Sequence, residues 1–91
     1  MANKEQYLQH PTFGMLFRIC VIKNNQELFT TLYAQRLFFL VTMDGDKNTF
    51  QTITRADAKL LVDNRLRDLR RISLDNPEAK ALQKVHNRTF Y

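Results

Sequence analysis

The sequence has little of what metal centres, disulfide frameworks and phosphate-binding loops require. It contains one cysteine, Cys20, two histidines, His10 and His86, and no tryptophan in 91 residues. A lone cysteine permits no internal disulfide, and its spacing from the two histidines resembles no zinc or iron–sulfur motif. A reducing, cytoplasmic setting is the expectation. Two glycines, Gly14 and Gly45, are too few for a glycine-rich phosphate cradle. The longest uninterrupted apolar run, residues 37–41, falls far short of the ~20 residues that cross a bilayer. The opening MANKEQYLQHP has no apolar core of signal-peptide length. Neither membrane insertion nor secretion is expected. Internal repeats and low-complexity tracts are absent as well.

What remains is ordinary globular composition, 44% hydrophobic and 25% charged, with a net charge of +5. The charge is uneven. Residues 1–53 carry five Lys/Arg against four Asp/Glu, and residues 54–91 carry nine against five. Basicity therefore belongs to the second part, where it suits an acidic protein surface or nucleic acid.

Periodicity divides the chain at the same place. Residues 1–11 form a polar lead-in or edge strand that His10-Pro11 holds extended. In residues 12–23 the odd positions Phe13, Met15, Phe17, Ile19 and Val21 make one apolar face of a strand, and Gly14 suggests a bulge or a close backbone approach. Asn24-Asn25 should turn the chain through residues that tolerate positive φ. Residues 27–43 are too long for one strand and should bend near Ala34-Gln35. Asp44-Gly45 marks a clear turn before a short β-branched strand at residues 49–53. Four or five antiparallel strands follow, favouring a small curled barrel. From Thr54 the period becomes helical, with Ala58, Leu61, Val62, Leu66, Leu69 and Ile72 in one stripe and Asp57 at the third position after a Thr cap. Residues 74–77 break that helix, and Asn76-Pro77 opens a second, to about Arg88, whose thin stripe is Ala79, Leu82, Val85 and Phe90.

The densest apolar stretch lies at residues 33–41, where six of nine side chains are large and apolar. Alternate residues of a strand point to opposite faces, so both faces are apolar. A chain this short has little material to cover both. The residues alone leave two readings, one in which Tyr33, Phe38 and Phe39 are all core and one in which a face meets a partner. The family resemblance given below implies the second, with Phe38 and Leu40 in the barrel core and Tyr33, Gln35, Leu37 and Phe39 on the partner surface, with Arg36 at its edge.

Chemistry has few candidates. His10, His86 and Cys20 read as packing residues, and DGD at residues 44–46 reads as a turn because a calcium loop needs a glutamate at its twelfth position. No enzymatic activity and no cofactor are expected. Arg65, Arg67, Arg70 and Arg71 form a basic patch, but Asp63 and Asp68 interleave with them and the aromatics lie elsewhere. An RNA-binding or ribosome-associated basic module is the alternative to a protein-interaction module.

Three segments carry a family resemblance: HPTFG at residues 10–14, ELFTTLYAQRLFFLV at residues 27–41, and LVDNRLRDLRR at residues 61–71. Together they resemble the PII-interacting protein X family, PipX, of cyanobacteria. The resemblance implies an α+β fold, with a small Tudor-like (SH3-like) antiparallel β-barrel domain at residues 1–53 and a C-terminal two-helix hairpin at residues 54–91. It implies a non-enzymatic regulatory adaptor of nitrogen control with two partners. One is the PII signal protein trimer, bound when 2-oxoglutarate is low. The other is the 2-oxoglutarate-bound dimer of the transcription activator NtcA, which the adaptor serves as coactivator. RNA polymerase is a further candidate through the activator complex, DNA is not contacted directly, and the small effectors 2-oxoglutarate, ATP and ADP bind the partners. Carried onto this sequence, the contact residues are Tyr33, Gln35, Arg36, Leu37 and Phe39, with Phe13, Met15, Tyr7 and Glu5. The chain departs from the family pattern after HPTFG, with Met15, Leu16 and Phe17 in place of two leucines and a tyrosine.

Overall fold

A computed structural model describes residues 7–31 and 36–91. The elements run Tyr7–His10 (β1), Gly14–Lys23 (β2), Gln26–Thr30 (β3), Phe38–Asp44 (β4), Lys47–Ile53 (β5), Arg55–Ile72 (α1) and Pro77–Phe90 (α2). The strands form one antiparallel sheet in the order β1-β2-β3-β4-β5. Although β1 and β5 stand at opposite ends of that order, the rings of His10 and Phe50 lie 4.6 Å apart. The sheet is therefore curled into a half-barrel. Strands and helices separate into two compact units, Met1–Ile53 and Thr54–Tyr91, and the α+β class fits a Tudor-like barrel followed by a helical hairpin.

Local chemistry sets the turns. Pro11, Thr12 and Phe13 make the β1–β2 turn, and the Nδ1 of His10 accepts the amides of Thr12 at 2.9 Å and Phe13 at 3.1 Å. Gly14 opens β2 at φ +76°, where a side chain would be strained. The bulge expected at Gly14 lies further on: the β2–β3 register shifts between Arg18 and Cys20, and again between Val21 and Lys23. Asn24 and Asn25 do turn the chain, yet no described residue other than glycine has positive φ. Gly45, at φ +63°, begins the two-residue loop between β4 and β5, as a tight hairpin requires.

These bulges correct the face expected for β2. Leu8 pairs with Leu16 and Tyr7 with Phe17, so before the first bulge the even residues of β2 point inward. Leu16 is fully buried while Met15 remains 51% exposed. Past the bulge the parity shifts, and Ile19 and Cys20 are both buried. A strict alternation cannot represent such a strand.

The interior cluster is Leu16, Phe29, Phe39 and Val41, with Leu8, Phe13, Leu37, Met43 and Phe50 packed around it. Opposite-face residues Leu28 and Phe38 are also closed from water, at 0% and 2% exposure. The expected division of β4 is thus corrected: Phe39 belongs to the interior with Val41, and Phe38 is buried as well. Neighbouring Phe29, paired with Phe39, selects the inward parity. The strand's own two-sided apolar pattern could not.

The helices follow their signals closely. Thr54 Oγ1 accepts the Asp57 amide at 3.0 Å, and Asn76 Oδ1 accepts the amides of Glu78 and Ala79 at 2.8 and 3.2 Å. The α1 stripe buries Ala58, Val62, Leu66 and Leu69. Ile72, expected in that stripe, ends the helix and is 77% exposed. On α2 the buried residues are Ala79, Leu82, His86, Thr89 and Phe90, and Val85 is only half-buried.

His86 takes the inward position because Asp63 of α1 meets its Nε2 at 2.9 Å. The same carboxylate lies 3.1 Å from the Lys59 ammonium. Burial alone would raise the Asp63 pKa, but hydrogen bonding and charge from Lys59, then from His86, outweigh it and hold the carboxyl below its ordinary value of 3.8. A depressed carboxyl stabilises the fold above its unfolded pKa, and that contribution disappears as pH falls through the folded value. Thermal unfolding monitored by circular dichroism should therefore show stability falling below about pH 4. Asp63→Asn should flatten that acid limb. An unchanged limb in the variant would exclude Asp63 as its source.

Candidate protein-interaction surface

One end of the sheet gathers several of the expected contact residues. Phe17 pairs with Thr30, and Thr30 pairs with Phe38, so those three residues form a row across β2, β3 and β4. Antiparallel strand directions then place the β1–β2 turn and the segment joining β3 to β4 at the same end of the sheet. The turn supplies Phe13, and the start of β2 supplies Met15. The joining segment supplies Arg36 and Leu37, while Tyr33 and Gln35, with Glu5 in the lead-in, lie outside the described residues.

On the outward face of the β1–β2 hairpin, Tyr7 stacks on Phe17 with ring centroids 4.8 Å apart. Gln9 and Met15 form the next cross-strand pair two residues along. Tyr7 and Met15 remain 48% and 51% exposed. They are large apolar groups presented to solvent on a strand pair whose inner side is fixed by Leu8 and Leu16. Such a patch suits protein association.

The base of the β3–β4 segment is held by a clamp that sequence patterns did not reveal. The Thr31 amide donates to the Leu37 carbonyl at 3.1 Å, and the Leu37 amide donates to Thr31 Oγ1 at 2.9 Å. A side-chain oxygen thus replaces the backbone carbonyl that would continue the β-ladder. Thr30 Oγ1 also donates to the Leu37 carbonyl, at 2.9 Å. The Thr31 carbonyl, freed from the ladder, accepts from Arg36 Nη1 at 3.3 Å. Thr31 is fully buried. The adjacent Thr30-Thr31 pair was the available signal, since threonine commonly bonds nearby backbone.

Placement separates the remaining candidates. Phe13 is half-buried, with its ring 5.0 Å from His10 and 5.5 Å from Phe39. Leu37 is half-buried against the core cluster, whereas Arg36 is exposed. Phe39 is 1% exposed and offers a partner no surface. Phe13 and Leu37 pack against the cluster to which it belongs.

A family model, PII-interacting protein X, matches residues 4–90 and so spans both the sheet and the helical hairpin. The chain belongs to the PipX family. No curated protein matches it significantly. Membership makes it a PII-interacting regulatory protein, in a family of protein binders that is not a known enzyme family. Among the described residues no helix is long and apolar enough to cross a membrane. The PipX match gives the chain a partner class that its exposed residues alone could not supply.

Proposed function

We propose that this chain is an exchangeable adaptor of nitrogen control, held by the PII trimer when 2-oxoglutarate is scarce and released to join the 2-oxoglutarate-bound NtcA dimer as coactivator. The reading rests on PipX membership, and one structural observation supports its site: the half-exposed Tyr7 and Met15 at the sheet end where the clamped β3–β4 segment also emerges. The proposed contact surface comprises Tyr7, Met15, Arg36 and Leu37 with Tyr33, Gln35 and Glu5, bordered by Phe13. Phe39 lies beneath it. A surface shared by two partners makes their binding mutually exclusive, and a tenfold change in relative affinity needs only ~1.4 kcal/mol. Effectors bound to the partners supply that difference.

Size-exclusion chromatography of the chain with PII tests the reading. A complex should form with the nucleotide-free or ADP-bound trimer and dissociate when ATP and 2-oxoglutarate are added together. Persistence of the complex under both effectors would refute the exchange. Replacing Tyr7 and Met15 together by Ala should weaken PII binding by about 2 kcal/mol, roughly thirtyfold, with little change in melting temperature. Wild-type affinity in that double variant would move the contact surface elsewhere.

A further inference from the structure

The helical hairpin contains a cleft that the sheet surface does not explain. Its volume is about 360 Å³, and it is lined by Asp63, Leu66, Arg67 and Arg70 of α1 and by Gln83 and His86 of α2. Leu66 and His86 are buried and form the interior part of that lining. Arg67 and Arg70 are exposed. Their hydrogen bonds go to neutral amides: Arg67 Nη1 donates to Asn64 Oδ1 at 2.9 Å, and Arg70 Nη2 donates to Gln83 Oε1 at 2.7 Å.

The nearby carboxylates are committed elsewhere. Asp63 lies against Lys59 and His86, Asp68 faces Arg71 at 4.0 Å, and Glu78 meets Arg65 at 3.3 Å. Among the described residues neither Arg67 nor Arg70 has a carboxylate within ion-pair distance. Two guanidiniums of adjacent turns thus border one cleft with donors held only by neutral, displaceable acceptors. Arginine's planar fork matches a carboxylate in bidentate geometry.

We infer that the Arg67–Arg70 cleft between α1 and α2 is a second interaction site that receives an acidic side chain, Asp or Glu, of a partner protein. The cleft accommodates a side chain rather than a helix. No phenylalanine, tyrosine or tryptophan lines it for base stacking, which disfavours a nucleic acid. The helical half carries nine basic residues against five acidic ones, so the cleft sits in positive surroundings that attract a carboxylate. This inference is independent of the sheet surface, so either can fail alone.

The test uses the full-length chain labelled with 15N and titrated with an acetylated, amidated acidic hexapeptide of alternating Asp and Glu. Parallel titrations use the matching Asn/Gln peptide, inorganic phosphate and a dT oligonucleotide. The acidic peptide should shift the side-chain Nε–H signals of Arg67 and Arg70 and the backbone signals of Gln83 and His86, and the neutral peptide should not. The double variant Arg67→Gln/Arg70→Gln should weaken the interaction by about tenfold or more while leaving the circular dichroism spectrum unchanged. If that variant unfolds, Arg67→Lys/Arg70→Lys replaces it, and the loss of bidentate geometry should still reduce affinity. Shifts confined to residues outside the cleft, undiminished binding in the folded variant, or tighter binding of phosphate or the oligonucleotide would overturn the proposal.

Discussion

Phe39→Ala should destabilise the sheet unit by about 3–5 kcal/mol, the cost of removing a buried aromatic and leaving a cavity. Phe39 is 1% exposed and belongs to the cluster formed with Leu16, Phe29 and Val41, while Phe13 and Phe50 approach its ring at 5.5 and 6.5 Å. Small domains have only about 5–15 kcal/mol in total. The variant should therefore populate unfolded sheet at physiological temperature and lose PII binding for that reason. Urea unfolding followed by tyrosine fluorescence or circular dichroism measures the effect, and Phe39→Leu should recover much of the stability. The alternative outcome is equally informative. A Phe39→Ala chain that unfolds at the wild-type urea concentration yet fails to bind PII would make Phe39 a contact residue and contradict its interior placement.

Thr31→Val should have the second-largest effect, about 1–3 kcal/mol, although it changes neither volume nor burial appreciably. Valine keeps the shape of threonine but removes the oxygen that accepts the Leu37 amide at 2.9 Å. That donor lies in a partly buried setting, where an unpaired N–H costs the desolvation it no longer recovers. The larger consequence is functional. Thr31 and Leu37 flank the segment carrying Tyr33, Gln35 and Arg36 of the proposed contact surface, and on that proposal loosening the clamp raises the entropy that PII binding must overcome. Isothermal titration with PII should show weakened affinity in Thr31→Val and near-normal affinity in Thr31→Ser, which retains the hydroxyl. Equal binding by the valine and serine variants would show that the hydroxyl does not anchor the segment.

The two variants act on different terms. Phe39 contributes packing to the whole sheet, whereas Thr31 contributes one oriented acceptor at the base of one segment. A binding defect accompanied by lowered global stability points to the first mechanism, and a defect with a nearly intact unfolding transition points to the second. Tyr7 and Met15 add a third pattern, in which affinity falls without either change. Together these measurements separate residues that touch a partner from those that hold the touching residues in place.

Legibility differed sharply between the two units. Every helix boundary signal worked because capping acts over three or four residues: Thr54 and Asn76 bond amides within their own first turns. Asp57 lies in the first turn of α1 and Arg70 and Arg71 in the last, as the helix dipole favours. Burial was less local. Asp63 and His86 are 23 positions apart, and His86 could take an inward position only once α2 packed where Asp63 could reach it.

In the sheet, the antiparallel sense and a count of four or five strands were readable from alternation and turns, but their faces were not. The register shifts in β2 let Ile19 and Cys20 both become buried, which no fixed period of two allows. The apolar run at residues 38–41 of β4 offered two equivalent choices of inward face. Phe29 on the adjacent β3, with Leu16 on β2, decided between them.

By itself the sequence determined a β-rich first part, a helical basic second part and a family signature, because periodicity, capping and motif spacing are properties of neighbouring residues. Only the tertiary structure decided that Phe39 is interior, that Tyr7 and Met15 face outward, and that Thr31 clamps Leu37. Those outcomes depend on register and curvature, which bring together residues from strands whose separate sequences contain no record of which face their neighbours will cover.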